Sequence, residues 1–321
     1  MPSPSSSLAT LRPDLGASLE EFDLAMDRQG FIGLDVLPVI ETMKQSGPFG
    51  KIPVEELLKK AQTRRAPGSG YARGDWEFET DSYATEEHGF EEPVDDREAE
   101  MYAEYFDAEL VSAEVARDTV MRAQEERIAD LVFNASTFSA TSVTNEWDDA
   151  TNATPIEDVK ASKIRVYAAC GMWPDSLIIS KTVFLNLREC DEIIDRLKYQ
   201  GFQDVRSAMI GPQALAAVFD LRQVLVGGGT ENTASEGQTA SFAGYWSNEY
   251  AMVAKLARTR SIKEPCLGRT FHWGEDGSQI GTTFESYREE KIRGEVVRAR
   301  HDVPEKQLYT ACGDPMDNTT T

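Results

Sequence analysis

His88 stands in DSYATEEHGFEEPVDDREAE (81–100), a run of carboxylates around one imidazole. Such a grouping can ligate a cation or share a proton. Residues 81–110 hold twelve acids and one base, Arg97, so half the net charge of the chain lies there. The spacing argues against a metal. Hard cations such as Ca²⁺ take clustered oxygens from loops with a turn-making glycine at a fixed place, and EEHGFEEPVDD has no EF-hand spacing. Zinc needs a second histidine within helical reach, and none is present. The run reads as an acidic, solvated connection that ends in a helix cap at Asp95 or Asp96. A metal-dependent enzyme centred on His88 stays as the alternative from another class.

Other candidate chemistry is thin. VLVGGGTEN (224–232) follows an apolar run as a phosphate loop would, yet it has neither the P-loop pattern nor a G-x-G-x-x-G run opening a helix. His272 in TFHW and His301 on an alternating segment read as packing residues. No G-x-S-x-G elbow is present. Cys170, Cys190, Cys266 and Cys312 form no CxxC pair, so reduced, partly buried thiols are expected. No enzymatic activity and no cofactor are expected.

The elements around these residues have a clear order. The chain has 321 residues, 55 acids against 33 bases, and a formal charge of −22. That acidity excludes a nucleic-acid reader, which needs a basic face. No apolar run approaches the ~20 residues of a membrane helix, and MPSPSSSLATLRPDLG lacks the pattern of a secretory leader. A soluble protein made in the cytoplasm is expected. Residues 1–50 read as an arm with one short helix in SLEEFDLAMDRQG, capped by Ser18 with Glu21 at the capping-box position and Gly30 after its end.

Residues 51–96 read as an excursion. A short helix starts at Pro53, with Val54, Leu57, Leu58 and Ala61 on one face. A flexible APGSG comes next, and then a strand in which Trp76 and Phe78 alternate with Glu77, Glu79 and Asp81. The first part of the excursion is basic and the second part acidic. Between Val94 and Thr154 there is neither glycine nor proline, and apolar residues from Tyr102 to Val132 recur at helical gaps. A helix over about 97–132 would be ~54 Å long. Beyond it, TPIEDVKASKIRVYAACG reads as a helix capped by Thr154. SLIIS and VFLNL read as short buried strands. RECDEIIDRLKYQG and GPQALAAVF read as helices. RQVLVGGG reads as a strand with YAMVAKLA as its neighbour, and EVVRARHDV as a strand in a β-rich tail. An arm, a charged loop and a very long helix make sense on a subunit that contacts other copies.

That order of parts resembles the major capsid proteins of tailed bacteriophages, the Hong Kong 97-type fold that encapsulins share. The most specific stretch is VFDLRQVLVGGGTENTASEGQTASFAGYWSNEYAMVAK. Val224–Gly227, Asn232–Ala234, Glu236–Gln238 and Tyr245–Trp246 are similar to an axial-domain pattern of that family. GRTFHWGEDG and RHDVPEKQLY resemble the ends of phage capsid proteins. The resemblance implies an α+β, Hong Kong 97-like capsid fold. Residues 1–50 would be the N-terminal arm, 51–96 the extended loop, 97–170 the spine helix and peripheral domain, 171–260 the axial domain, and 261–321 the return to the peripheral domain.

It further implies self-assembly through pentamers and hexamers into an icosahedral shell enclosing phage DNA without sequence-specific binding. Scaffold, portal and decoration proteins would be the partners, and the virion the location, with assembly in the host cytoplasm. An encapsulin-like compartment is the alternative within the fold. The charge split suggests that Arg64, Arg65 and Arg73 meet a neighbour's acids, with Glu86, Glu87, Glu91 and Glu92 as candidates. Trp76 and Phe78 would cover apolar surface nearby.

Overall fold

The computed structural model describes residues 10–11, 30–61, 63–74, 77–103, 107–199, 210–275, 277–281 and 283–320. In chain order they form β1 (Thr10–Leu11), α1 (Gly33–Val36), β2 (Val39–Thr42), β3 (Ser46–Lys51), α2 (Val54–Leu57), β4 (Glu79–Ala84) and β5 (Glu86–Asp95). Next come α3 (Asp96–Tyr102), α4 (Ala108–Val132), β6 (Thr141–Ser142), α5 (Pro155–Cys170), β7 (Ser176–Ser180), α6 (Lys181–Glu189), α7 (Asp191–Tyr199) and α8 (Pro212–Val218). After these stand β8 (Gln223–Gly227), β9 (Thr230–Asn232), β10 (Phe242–Gly244), β11 (Ala251–Ala254), β12 (Gly268–Trp273), β13 (Thr283–Glu289) and β14 (Gly294–Val303). The chain closes with β15 (Glu305–Gln307), a 3-10 turn at Thr310–Cys312, and β16 (Gly313–Asp317).

Two sheets carry the body. One has the order β6-β16-β11-β7-β8 and the other β1-β13-β14-β5. Strand β7 is buried on both faces, and its period of two divides its side chains. Leu177 and Ile179 join Val159, Val183, Phe184, Ile193 and Leu215, from helices α5 to α8. Ile178 turns the other way, onto Ile128, Ala129 and Val132 of α4 and onto Trp246. The first half of α4 packs on the second sheet, Ala113, Ala116 and Val120 meeting Phe284, Val297 and Ala299. One helix therefore spans both sheets, and small alanines let it lie close to the strands.

The expected single helix over 97–132 is two helices. Asp107 interrupts the run because its side chain accepts from the N–H of Glu109 (3.0 Å) and of Leu110 (3.4 Å), starting a new helix. The 25 residues of α4 span ~37 Å. Asp95 caps α3 as expected, accepting from the Arg97 N–H at 2.8 Å. The acidic stretch is solvated as expected, with most of its side chains exposed, but it is strand and not an irregular connection, since β4 and β5 occupy most of it. VFLNL lies in α6, not in a strand. Ser180 ends β7 and caps the helix through Val183 N–H, and Val183, Phe184 and Leu187 make its buried face.

Other expectations shift in smaller ways. Strand β7 separates β8 from β11, which the sequence reading made neighbours. Thr154 precedes α5 without a side-chain cap bond. Helix α2 is one turn long, with Leu58 beyond it and exposed, and β4 begins only after Phe78. The helix expected around Ser18 and Glu21 lies outside the described residues.

Strand β14 alternates as its sequence predicts, Val297, Ala299, His301 and Val303 all being buried. It pairs antiparallel with β5 over ten positions, from Gly294↔Asp95 to Val303↔Glu86. Glycine at 294 is a close-approach requirement, because a Cβ there would stand 2.0 Å from the Val94 carbonyl oxygen. Gly294→Ala is expected to open the end of this ladder at a cost of ~1–3 kcal/mol, read as a lowered melting temperature of the subunit.

A candidate inter-subunit loop and its root

Strands β3 and β4 form a two-stranded ribbon with Lys51 opposite Glu79, and between them the chain first returns to the body at Val54, which packs beside Val166. The base of the ribbon is fixed by aromatic contact. Tyr83 stacks on Phe271 of β12 at 4.9 Å, and Phe49 tilts against the same ring at 5.7 Å. Lys306 adds an ion pair to Asp81 at 2.5 Å. Beyond the base, residues 57–74 contain five bases and no acid. Arg64, Arg65 and Arg73 are all exposed. Arg65 donates to the Ser69 carbonyl at 2.6 Å and lies over the Tyr71 ring at 4.8 Å. Among the described residues Arg64 and Arg73 meet no carboxylate. Phe78 is 70% exposed, and Trp76 lies outside the described residues.

The four candidate acids stand on β5, and the structure divides them. Glu91 is engaged within the chain, pairing with Arg298 at 2.5 Å and accepting from the Tyr287 hydroxyl at 3.2 Å. Glu87 lies 4.0 Å from Arg300. Glu86, exposed, and Glu92, half-buried, have no cation partner among the described residues. Both arginines of β14 also bind Glu285 of β13, Arg300 at 2.9 Å and Arg298 at 3.3 Å. This outer face of the sheet is a charge ladder laid across three strands.

On the opposite face the three histidines of the chain converge. His88 and His301 are register partners on β5 and β14, their rings edge to face at 6.0 Å. His272 on β12 approaches the same place, its Nε2 3.3 Å from the Ser278 hydroxyl. Arg127 of α4 lies over this site in a bidentate pair with Glu305, at 2.9 and 3.1 Å. His301 is fully buried, and neither of its ring nitrogens has a hydrogen-bond partner among the described residues. Burial, then the Arg127 cation, holds its pKa down at about 3. The same two causes lower His88. A cation over two rings whose protonation is disfavoured is poor company for a metal ion. Among the described residues no three His, Cys, Asp or Glu side chains are placed to hold one.

One constellation escaped the sequence reading. Glu125, in the middle of α4, is buried and accepts from Ile32 N–H at 2.9 Å, Gly33 N–H at 2.8 Å and the Trp246 indole N–H at 2.7 Å. Burial pushes its carboxyl up while these three donors oppose the shift. Its signal was present, since Glu125 falls with Met121, Ile128 and Val132 on the core side of the helical repeat.

No protein-family model matches the chain. It is similar to the major capsid protein of Burkholderia phage BcepMu, 22% identical over 270 residues, which are 82% of this chain and 84% of the relative. The fold matches the crystal structure of a phage-related protein from Bordetella bronchiseptica with a TM-score of 0.68, at 19% identity over 97% of this chain and 98% of that one. It matches the capsid structure of cyanophage P-SCSP1u with a TM-score of 0.54, at 10% identity over 88% and 86%. The chain thus has the α+β, Hong Kong 97-like fold that phage capsid proteins and encapsulins share.

Proposed function

We propose that this chain is a phage major capsid protein, a structural subunit and not an enzyme, whose copies assemble through pentamers and hexamers into an icosahedral shell around DNA. The observation that carries the reading is the ribbon at 46–84 on this fold. It projects exposed arginines and Phe78 that find no acid or apolar cover in their own chain among the described residues. A monomer has no use for such a projection, whereas a neighbour in a shell covers it. Arg64, Arg65 and Arg73 bind acids of the adjoining subunit. Glu86 and Glu92 are the two of the four candidate acids that keep their charge unspent. Residues 51–96 act as the extended loop, 97–170 and 261–321 as the peripheral part, and 171–260 as the axial domain.

The net charge of −22 suits a DNA container, because a wall that repels phosphate does not trap the packed genome. Scaffold, portal and decoration proteins complete the assembly in the host cytoplasm. The same fold in encapsulins supports a second reading, a compartment for protein cargo.

Arg64→Glu with Arg65→Glu tests the contact. Each exposed pair contributes only ~0–1 kcal/mol, but the loss recurs at every copy. The double variant is expected to stay folded by circular dichroism and to yield free subunits or small rings by electron microscopy where the parent chain yields closed shells. Normal shells from the variant at every salt concentration would defeat the proposed contact. Shells that package a co-expressed enzyme, with no dependence on portal or DNA, would favour the compartment.

A further inference from the structure

The four cysteines are free and fully buried, and two of them meet. Cys170 is the last residue of α5, just before Gly171, whose positive φ of 69° turns the chain out of the helix. Cys312 ends the 3-10 turn that leads into β16. The two lie together in one small core with Val54 and Val166, where the Cys170 thiol also donates to the Met172 carbonyl at 3.3 Å. Lys255 closes the site. Its backbone N–H donates to the Cys312 carbonyl at 2.8 Å, and its ammonium, paired with Asp175 at 3.0 Å, lies near enough to favour a thiolate. The remaining thiols are placed elsewhere, Cys190 against the Ala153 carbonyl at 3.8 Å and Cys266 against the Gly268 carbonyl at 3.5 Å.

We propose that Cys170 and Cys312 are an oxidisable pair that closes into a disulfide between α5 and the lead-in to β16 once the protein leaves a reducing compartment. The pair is asymmetric. The interaction of the two neighbouring thiols lowers the pKa of Cys170 and raises that of Cys312, which sets Cys170 as the attacking sulfur and Cys312 as the resolving one. Hydrogen peroxide, small enough to reach a buried thiol, is the oxidant. The Cys170 thiolate attacks one peroxide oxygen and the O–O bond breaks. Cys170 becomes a sulfenic acid, and the released hydroxide takes up the thiol's proton as water. The Cys312 sulfur then attacks the Cys170 sulfur, displacing hydroxide, which leaves as a second water with the Cys312 proton. Two thiols and one peroxide give one disulfide and two waters. The chemistry does not depend on the capsid reading.

The test uses the full chain, purified in reductant, freed of it and exposed to hydrogen peroxide. Remaining thiols are then alkylated in denaturant. Two alkyl groups instead of four, a peptide linking Cys170 to Cys312, and a melting temperature raised by several degrees and restored by a phosphine are the expected results. Cys312→Ala should abolish the link and leave added oxygen on Cys170, while Cys190→Ala should leave the link intact. Four alkylated cysteines after peroxide, or a peptide linking Cys266 to Cys312 instead, would overturn the proposal.

Discussion

Glu125→Ala is expected to lose ~3–5 kcal/mol of subunit stability, because three N–H donors lose their acceptor at once and each unsatisfied buried group costs ~1–3 kcal/mol. The carboxylate satisfies two backbone N–H groups at the entry to α1 and the indole of Trp246. Alanine leaves all three donors without their acceptor. It also releases three separate parts of the chain at once: the segment entering at Ile32, the middle of α4, and the turn carrying Trp246. Trp246→Phe removes one donor and keeps a smaller aromatic ring, so it should cost less, ~1–2 kcal/mol from the lost hydrogen bond and packing. Urea unfolding of the unassembled subunits, monitored by far-ultraviolet circular dichroism, reads both. Equal losses for the two variants would mean that the indole packing, not the carboxylate, holds the junction.

The second large effect depends on pH. His301 is packed against His88 from β5, Arg127 from α4 and His272 from β12, with Glu305 and Glu86 as the nearby acids. Its folded pKa of about 3 is below the ordinary 6.5, so the folded protein keeps the ring neutral. Above pH 6.5 both folded and unfolded chains hold a neutral ring, and the full contribution to stability is present. As pH falls from 6.5 towards 3 the unfolded chain takes the proton first, and that stability is lost. The slope is ~1.4 kcal/mol per pH unit, on the order of 4 kcal/mol across the window.

Carboxylates titrate in the same range, so the informative quantity is the difference from His301→Leu. The leucine variant should match or exceed the parent at pH 7.5, because no hydrogen bond of the ring is lost. It should then lose stability less steeply between pH 6 and 4.5. Identical slopes would remove His301 from the account. The physical consequence lies at the root of the loop, since β5 and β14 are the strands that a charged ring pair would force apart.

Legibility in the sequence depended on the range of the signal. Where a residue's fate is set by its near neighbours, the sequence was enough. The alternation of β14, the helix ending at Gly171 and the apolar centre of SLIIS are local patterns, and each is found as read. Asp107 was a local signal overlooked, because the apolar spacing continued through it while its capping oxygen did not permit one helix. VFLNL failed differently. Five residues of mixed apolar character fit either period, and Ser180 acting as a cap decided between them. The exposure of Arg64, Arg65, Arg73 and Phe78 follows from local composition, yet the commitment of Glu91 to Arg298 does not, since it depends on strands more than two hundred residues apart pairing in register. The meeting of the three histidines, of Glu125 with Trp246, and of Cys170 with Cys312 is of the same kind. Each joins residues that only the completed topology makes neighbours.

Strand β16 lies second from the edge of the five-stranded sheet, between β6 and β11, and Thr319 and Thr320 just beyond it are buried with their hydroxyls on the Asn248 carbonyl. A nascent chain therefore cannot finish this sheet on the ribosome until residue 320 has cleared the exit tunnel. Until then β11 offers an open hydrogen-bonding edge, and β6 has nothing to pair with. A polypeptide released early lacks the strand that joins the two sides of its own core. Loss of β16 is therefore expected to unpair β6 and β11 together and to destabilise the interior of this sheet, not merely its edge.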